Sequence, residues 1–199
     1  MKRLSEIKTA NKAFQLNTGN PSENGNNNAK RLEKHYDYDK ADVDDIHDNY
    51  GNESYGLNSS LWKGANHPSA PIIDDIMNRY KTPKKMVVYS GSANDPRKHM
   101  DKEGIVNHPA YLSTSLSHHI AKGFTHSNYD EAGHTHRHLY RISVPKDHPS
   151  IFTNAMAEQE LILPRNTKLR HLRTDTKTTD SAFGNTKYHE HLHNMEVVK

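Results

Sequence analysis

Two glutamates one residue apart, Glu158 and Glu160, open an apolar run in AEQELILP (157–164). On a strand, residues i and i+2 point to one side, so the two carboxylates share a face and Gln159 takes the other. At an exposed strand end such a pair is merely solvated. Brought to a cationic reaction centre, it does chemistry. One carboxylate can hold a sugar hydroxyl and stabilise the positive charge that develops at a ribosyl carbon as its leaving group departs. The other can orient or deprotonate the incoming nucleophile. The same geometry also admits plain glycoside hydrolysis.

A second stretch, YLSTSLSHHIAKGF (111–124), supplies small hydroxyls. Ser113 and Ser115 share one strand face and Thr114 the other. Hydroxyls of this size leave room for a ligand and can pin a carboxylate by hydrogen bonding. No GxSxG elbow surrounds Ser113, so it supports a reaction rather than attacking as a nucleophile. Phe124 follows a short helix capped by Ser117. Its ring either enters the core or forms a wall for a flat heterocycle. HTHRH (134–138) and HEHLH (189–193) set His134, His136 and His138, and then His189, His191 and His193, at strand spacing. No HExxH motif and no complete donor set accompanies them. They read as solvated polar strand faces, and no metal is expected. Residues 161–187 hold six Lys or Arg against two acids, which reads as a solvated face or as a surface for nucleic acid or an acidic protein.

The elements that must position these groups follow from periodicity. A short helix is expected over 1–16, then an Asn/Gly-rich loop over 17–30. Residues 31–48 carry seven acids and three Lys or Arg, and read as one amphipathic helix with an acidic face. Short helices follow over Tyr55–Trp62 and over PIIDDIMNRY (71–80), where Pro71 suits a first helical turn. From Met86 the pattern changes to strands: MVVYSG (86–91), YLSTSL (111–116), HTHRHLYRISVP (134–145), and ELILP and TKLRHLRT joined as a hairpin by PRNT. TDTKTTDSAFGNT (174–186) reads as a loop, and KYHEHLHNMEVV as a last strand. Helices segregated from strands indicate an α+β fold. Residues 1–30 form an N-terminal helix and flexible segment. Residues 31–199 form a single domain, helical over 31–80 and mainly β over 81–199.

The chain has 199 residues, 32% of them hydrophobic, and a formal charge of +3. Its mean hydropathy is −1.02, so the core must be lean. With no cysteine, disulfides, thiolate metal sites and cysteine nucleophiles are excluded. No apolar run approaches membrane-spanning length, and MKRLSEIKTANKAF lacks the apolar centre of a signal peptide. The expectation is a soluble protein that is not exported by a cleaved signal.

Taken together, Leu112-Ser113-Thr114-Ser115, Glu158-Gln159-Glu160 and the lead-in NYGNESYGLNSSLWKG resemble the arginine-specific (R-S-E class) mono-ADP-ribosyltransferases, and within them the T4-type bacteriophage Alt and Mod enzymes. The resemblance runs from about residue 40 to the end. It implies two packed mixed β-sheets with NAD in the cleft between them. It also implies transfer of ADP-ribose from NAD to arginine side chains, with release of nicotinamide. In that scheme Ser113 holds Glu160, Glu160 grips the nicotinamide ribose, and Glu158 guides the acceptor. Ser90, Gly91, Ser115, Phe124 and Asn58 line or support the cofactor site, with Trp62 packing or lining. Phe152 either touches the acceptor or packs beneath the loop at 146–157. One motif departs: the family has Tyr-Arg-Gly where this chain has Tyr89-Ser90-Gly91. Arg97 is the expected substitute for the missing arginine, with Lys98 and Arg79 behind it. The implied partners are host proteins, RNA polymerase or translation proteins among them, with RNA or RNA-linked NAD as a further option. The implied place is the bacterial host cytoplasm or the virion. Two alternatives stay open: a catalytically weakened protein- or RNA-binding relative, and an NAD glycohydrolase.

Overall fold

The computed structural model describes residues 21–154, 157–180 and 186–198. The helix expected over 1–16 lies outside them. The first described element is α1 (Pro21–Tyr36), so residues 21–30, expected as loop, are helical. Proline suits this first turn because its missing N–H would be unpaired there anyway. Ala29, Leu32 and Tyr36, at helical spacing, are all buried.

The single helix expected over 31–48 is broken. Asp37 adopts a left-handed backbone (φ 33°), and Asp39 then caps α2 (Lys40–Ile46) by accepting from the Asp42 amide at 2.8 Å. A π-helical turn (His47–Gly51) continues α2 and buries Tyr50. Nor is the acidic face wholly solvated. Asp42 is buried, accepting from Arg79 at 2.6 and 2.8 Å and from the Tyr80 hydroxyl at 2.6 Å. Burial alone would push its carboxyl up, but the Arg79 and Tyr80 hydrogen bonds hold it below the ordinary carboxylate range. Arg79, considered above for NAD, is thus engaged in holding the helices together. Helices α3 (Ser54–Trp62) and α4 (Ala70–Arg79) complete the layer.

The strands are β1 (Met86–Ser92), β2 (Ile105–His108), β3 (Leu112–Ser115), β4 (Asn128–Tyr129), β5 (Thr135–Val144), β6 (Ile151–Thr153), β7 (Glu160–Leu163), β8 (Thr167–Asp180) and β9 (Lys187–Val198), with α5 (His118–Gly123) after β3. Their order is β2-β8-β9-β5-β1-β3-β7-β6, with β4 on β5. All neighbours are antiparallel except β5 and β9. The ladder is continuous, but β1 and β3 meet through one residue pair, Tyr89 and Ser115. On either side of that pair the two expected sheets separate. Val88, Ile142, Met195 and Leu169 of the larger one share an apolar layer with Leu112, Phe152, Leu161 and Leu163 of the smaller.

β7 faces both ways. Leu161 and Leu163 enter this layer, while Ile162 enters a second one with Leu57, Ile73, Ile76 and Tyr111, beneath the helices. Each fully buried aliphatic side chain contributes roughly 1.5–3 kcal/mol, which explains how a lean composition suffices. β8 continues to Asp180, into the segment expected as loop over 174–186, of which 181–185 lie outside the described residues. Its run of threonines suits a strand, and it pairs with β9 as far as Asp180–Lys187.

The candidate acid cleft

β7 pairs with β3 in a register that sets Ser115 opposite Glu160 and Ser113 opposite Ile162. Alternation turns Ser113 and Glu160 to the helix side of the small sheet, the side that also takes Ile162. The Ser113 hydroxyl donates to Glu160 Oε1, and the Tyr50 hydroxyl reaches the same oxygen at 3.5 Å. Burial pushes the Glu160 carboxyl up to about 7. The neighbouring Glu158 charge adds to the rise, and the Ser113 and Tyr50 hydrogen bonds oppose it.

The two glutamates do converge, though not because they share a strand face. β7 begins only at Glu160. Ala157 and Gln159 have left-handed backbones (φ 58° and 51°), and this turn, not the strand period, brings Glu158 beside Glu160. The turn is fastened to β3: the Ser115 hydroxyl donates to the Glu158 carbonyl at 2.8 Å, and the Leu116 amide to the Gln159 carbonyl at 3.0 Å. Ser115 is therefore a buried brace of the turn, and it also lines the cleft.

Both glutamates line an open cleft of about 260 Å³ with Asn58, Trp62, Gly91, Ser113 and Phe124. Asn58 accepts from the Tyr111 amide at 3.1 Å and so ties α3 to the start of β3. Phe124 and Trp62 are both more than half exposed and stand on the cleft, not in the core. The Trp62 ring meets His108 edge-on at 4.9 Å. Phe152 is buried in the apolar layer and does not reach an acceptor.

Position 90 is accounted for. The Ser90 hydroxyl donates to the Ser113 carbonyl at 2.8 Å and clamps β1 to β3 next to the acid. Gly91 is required by packing: a Cβ there would lie 2.5–2.7 Å from backbone atoms of Ala121, Phe124 and Thr125. The close approach is to the end of α5, and Gly91 also lines the cleft. Arg97 is not brought to the cleft. It lies in the short 3-10 turn Pro96–His99, and its guanidinium is held by both oxygens of Asp95 at 2.6–3.0 Å. Among the described residues, no lysine or arginine lines the cleft. Tyr50, Tyr89 and His108 were missed as site residues, and nothing in their spacing marked them; tertiary contact alone brings them in.

The histidines differ most from expectation. His138, His191 and His193 are buried, not solvated. The rings of His136, His138, His189, His191 and His193 stack across β5 and β9 with centroids 4.7–5.2 Å apart for the cross-strand neighbours. Burial pushes His191 down to about 4 and His193 to about 3. The basic stretch at 161–187 is also partly neutralised: Arg165 pairs with Asp74, Arg170 with Glu196 and Arg173 with Asp175. No helix among the described residues is long and apolar enough to cross a membrane.

No protein-family model and no curated protein sequence matches the chain. Solved structures do. The chain is similar to Plx2a, an ADP-ribosyltransferase toxin from Paenibacillus larvae, with a TM-score of 0.61 and 16% identity over 87% of this chain and 96% of that one. It is similar to an ADP-ribosyltransferase from Clostridium botulinum, with a TM-score of 0.54 and 16% identity over 91% and 98%. It is also similar to the ADP-ribosylating toxin BECa of C. perfringens, solved with NADH, with a TM-score of 0.60 and 14% identity over 86% and 48%. With helices covering one side of a small sheet, a larger mixed sheet behind it and an acid cleft at their junction, the chain has the fold of the bacterial-toxin-type ADP-ribosyltransferases.

Proposed function

We propose that the protein is an NAD-dependent ADP-ribosyltransferase that modifies arginine side chains of bacterial host proteins during phage infection. The observation that carries this reading is the Ser113–Glu160 hydrogen bond beside Glu158, in an open cleft of that fold. Glu160, once ionised, accepts a hydroxyl of the nicotinamide ribose and stabilises positive charge at the anomeric carbon as nicotinamide leaves. Ser113 and Tyr50 fix the carboxylate that must do so. Glu158, at the cleft edge, takes the proton of the attacking guanidinium. Phe124 and Trp62 offer exposed ring faces for the flat heterocycles of the dinucleotide. The arginine acceptor, the host targets in transcription or translation, RNA-linked NAD as an alternative donor, and action in the host cytoplasm or from the virion all rest on the sequence resemblance to the phage enzymes.

The absence of arginine and lysine from the described cleft lining favours one second reading, a relative that binds protein or RNA and turns NAD over weakly. Incubation with NAD labelled in its adenylate half and a bacterial lysate separates the two. Labelled protein bands, competed by a small guanidino compound such as agmatine, support arginine transfer. Free ADP-ribose without protein label indicates a glycohydrolase. No NAD consumption leaves the binding reading.

A further inference from the structure

We propose that Asp95, His138 and His193 form a binding site for a divalent transition-metal ion of the zinc class, at the junction of the loop after β1 with the β5–β9 pair. This site does not depend on the reading of the cleft.

Ligand atoms of the three side chains, one from each, lie within 4.8 Å of one another. Their types, two imidazoles and a carboxylate, are the donors that Zn²⁺ and its neighbours in the first transition row take in N/O sites. His138 Nδ1 and His193 Nε2 face each other at 2.9 Å. Zinc–nitrogen bonds of about 2.0–2.1 Å at a tetrahedral angle need these atoms about 3.3 Å apart. The rings thus need to part by about 0.4 Å, and the carboxylate, within 4.8 Å of them, to close by up to about 1.4 Å, to admit an ion.

The donors are also oriented from behind, as ligands to metals are. The other nitrogen of His193, Nδ1, meets the Thr174 hydroxyl at 2.9 Å, and that hydroxyl is met by His171 Nε2 at 2.9 Å. This leaves His193 Nε2 for the ion. Three N–H groups of Arg97, its backbone amide, Nε and Nη2, donate to the Asp95 carboxylate, which fixes its plane. A carboxylate has about four lone-pair positions, so about one is left for a metal.

Position suits the role. His193 has no exposed surface, and His138 is only 5% exposed. They continue the inward face of the sheet beyond Ile142 and Met195, where the apolar layer ends. The loop carrying Asp95 follows directly on β1, and the Tyr140 hydroxyl donates to Asn94 O at 3.1 Å beneath it. A bound ion would pin that loop to β5 and β9. Residue His136, one row along, provides an internal contrast. Its Nδ1 also faces an imidazole at 2.9 Å, His191 Nε2, but its carboxylate partner Asp130 sits on the opposite ring nitrogen. The donors of that row do not converge.

The test uses the full chain after dialysis against chelator. Co²⁺ is titrated while the visible absorption is followed, and Zn²⁺ is titrated by calorimetry. We expect one equivalent to bind, visible d–d bands of a four- or five-coordinate cobalt ion, displacement by Zn²⁺, and a higher Tm with Zn²⁺ than with chelator. His138→Gln and Asp95→Asn should each weaken binding about tenfold or more, and His136→Gln should leave it within about twofold. His193→Gln should abolish it. If that variant does not fold by circular dichroism, the other two decide. Absence of stoichiometric binding overturns the site. So does binding that His138→Gln and Asp95→Asn leave intact, or that His136→Gln weakens as much as they do, because either result marks adventitious capture by surface histidines.

Discussion

The acid cleft and the histidine ladder are built from the same material, ionisable side chains on strand faces, and they resolve burial differently. In the ladder each ring finds partners within the sheet. His191 Nδ1 meets Thr176 and Nε2 meets His136, while His193 Nδ1 meets Thr174 and Nε2 meets His138. Burial holds these rings neutral. In the cleft, Glu160 is pushed toward neutrality by burial and by Glu158, but among the described residues two hydroxyls approach it, and the cleft beside it stays open. The first arrangement satisfies its own hydrogen bonds within the sheet, and the end that carries His138 and His193 is the place proposed for an ion. The second leaves a carboxylate short of partners next to room for a ligand. An ionisable group marks a reactive site when its environment perturbs it and leaves it reachable; perturbation alone does not separate the two regions.

The largest expected effect breaks the comparison at its centre. Glu160→Gln keeps shape and burial but removes the charge, and nicotinamide release should fall by about 10²–10³-fold. Parent-like release from a folded sample would show that the cleft is no more reactive than the ladder.

The next effect is thermodynamic and has opposite signs in the two regions. Glu160 titrates near 7 in the folded chain against an ordinary 4.5. Its neutral form therefore adds stability below pH 4.5, and this is lost as pH rises through 7. Without that buried charge, Glu160→Gln should be more stable than the parent at pH 8 by up to about 3 kcal/mol in chemical denaturation. His191 and His193 titrate below their ordinary 6.5. Their contribution is whole above pH 6.5 and is lost as pH falls toward 4 and 3. With chelator present, Glu160→Gln should therefore show a steeper loss of stability between pH 6.5 and 4.5 than the parent. Identical slopes would remove the electrostatic contrast.

Smaller is Ser113→Ala. Loss of its hydrogen bond takes away a group that lowers the Glu160 pKa. Under the proposed mechanism the rate follows ionised Glu160, so the variant's rate should rise at a more alkaline midpoint than the parent's, with about a tenfold loss at pH 7. An unmoved midpoint would show that Ser113 does not set the acid. Smallest is Thr176→Val in the ladder, which deletes the partner of His191 Nδ1. It should cost about 1 kcal/mol of stability and leave turnover unchanged. A loss of turnover would mean that the two regions are coupled.

Much of the cleft was legible because its parts are local. A Ser-Thr-Ser strand and a Glu-x-Glu pair each lie within five residues, and backbone alternation turns Ser113 and Glu160 to one side of paired strands. The left-handed turn at Ala157 and Gln159 was not legible, because neither residue type signals it. Arg97 shows the limit in another way. It lies only seven residues from Ser90, yet Asp95, two residues before it, holds its guanidinium by short-range hydrogen bonds. The break at Asp37 and the length of β8 depended on what lay opposite: a buried Asp42 with Arg79, and a full-length β9.

By itself, then, the order of residues determined the helical layer before Tyr80, the strands after Met86, and the pairing of small hydroxyls with an acid, since periodicity and residue size act over a few positions. Only the tertiary structure decided which ionisable groups are shut away and which face a cleft. It drew Tyr50 to Glu160 across 110 positions and turned the histidines inward, because burial and charge are properties of the space between elements.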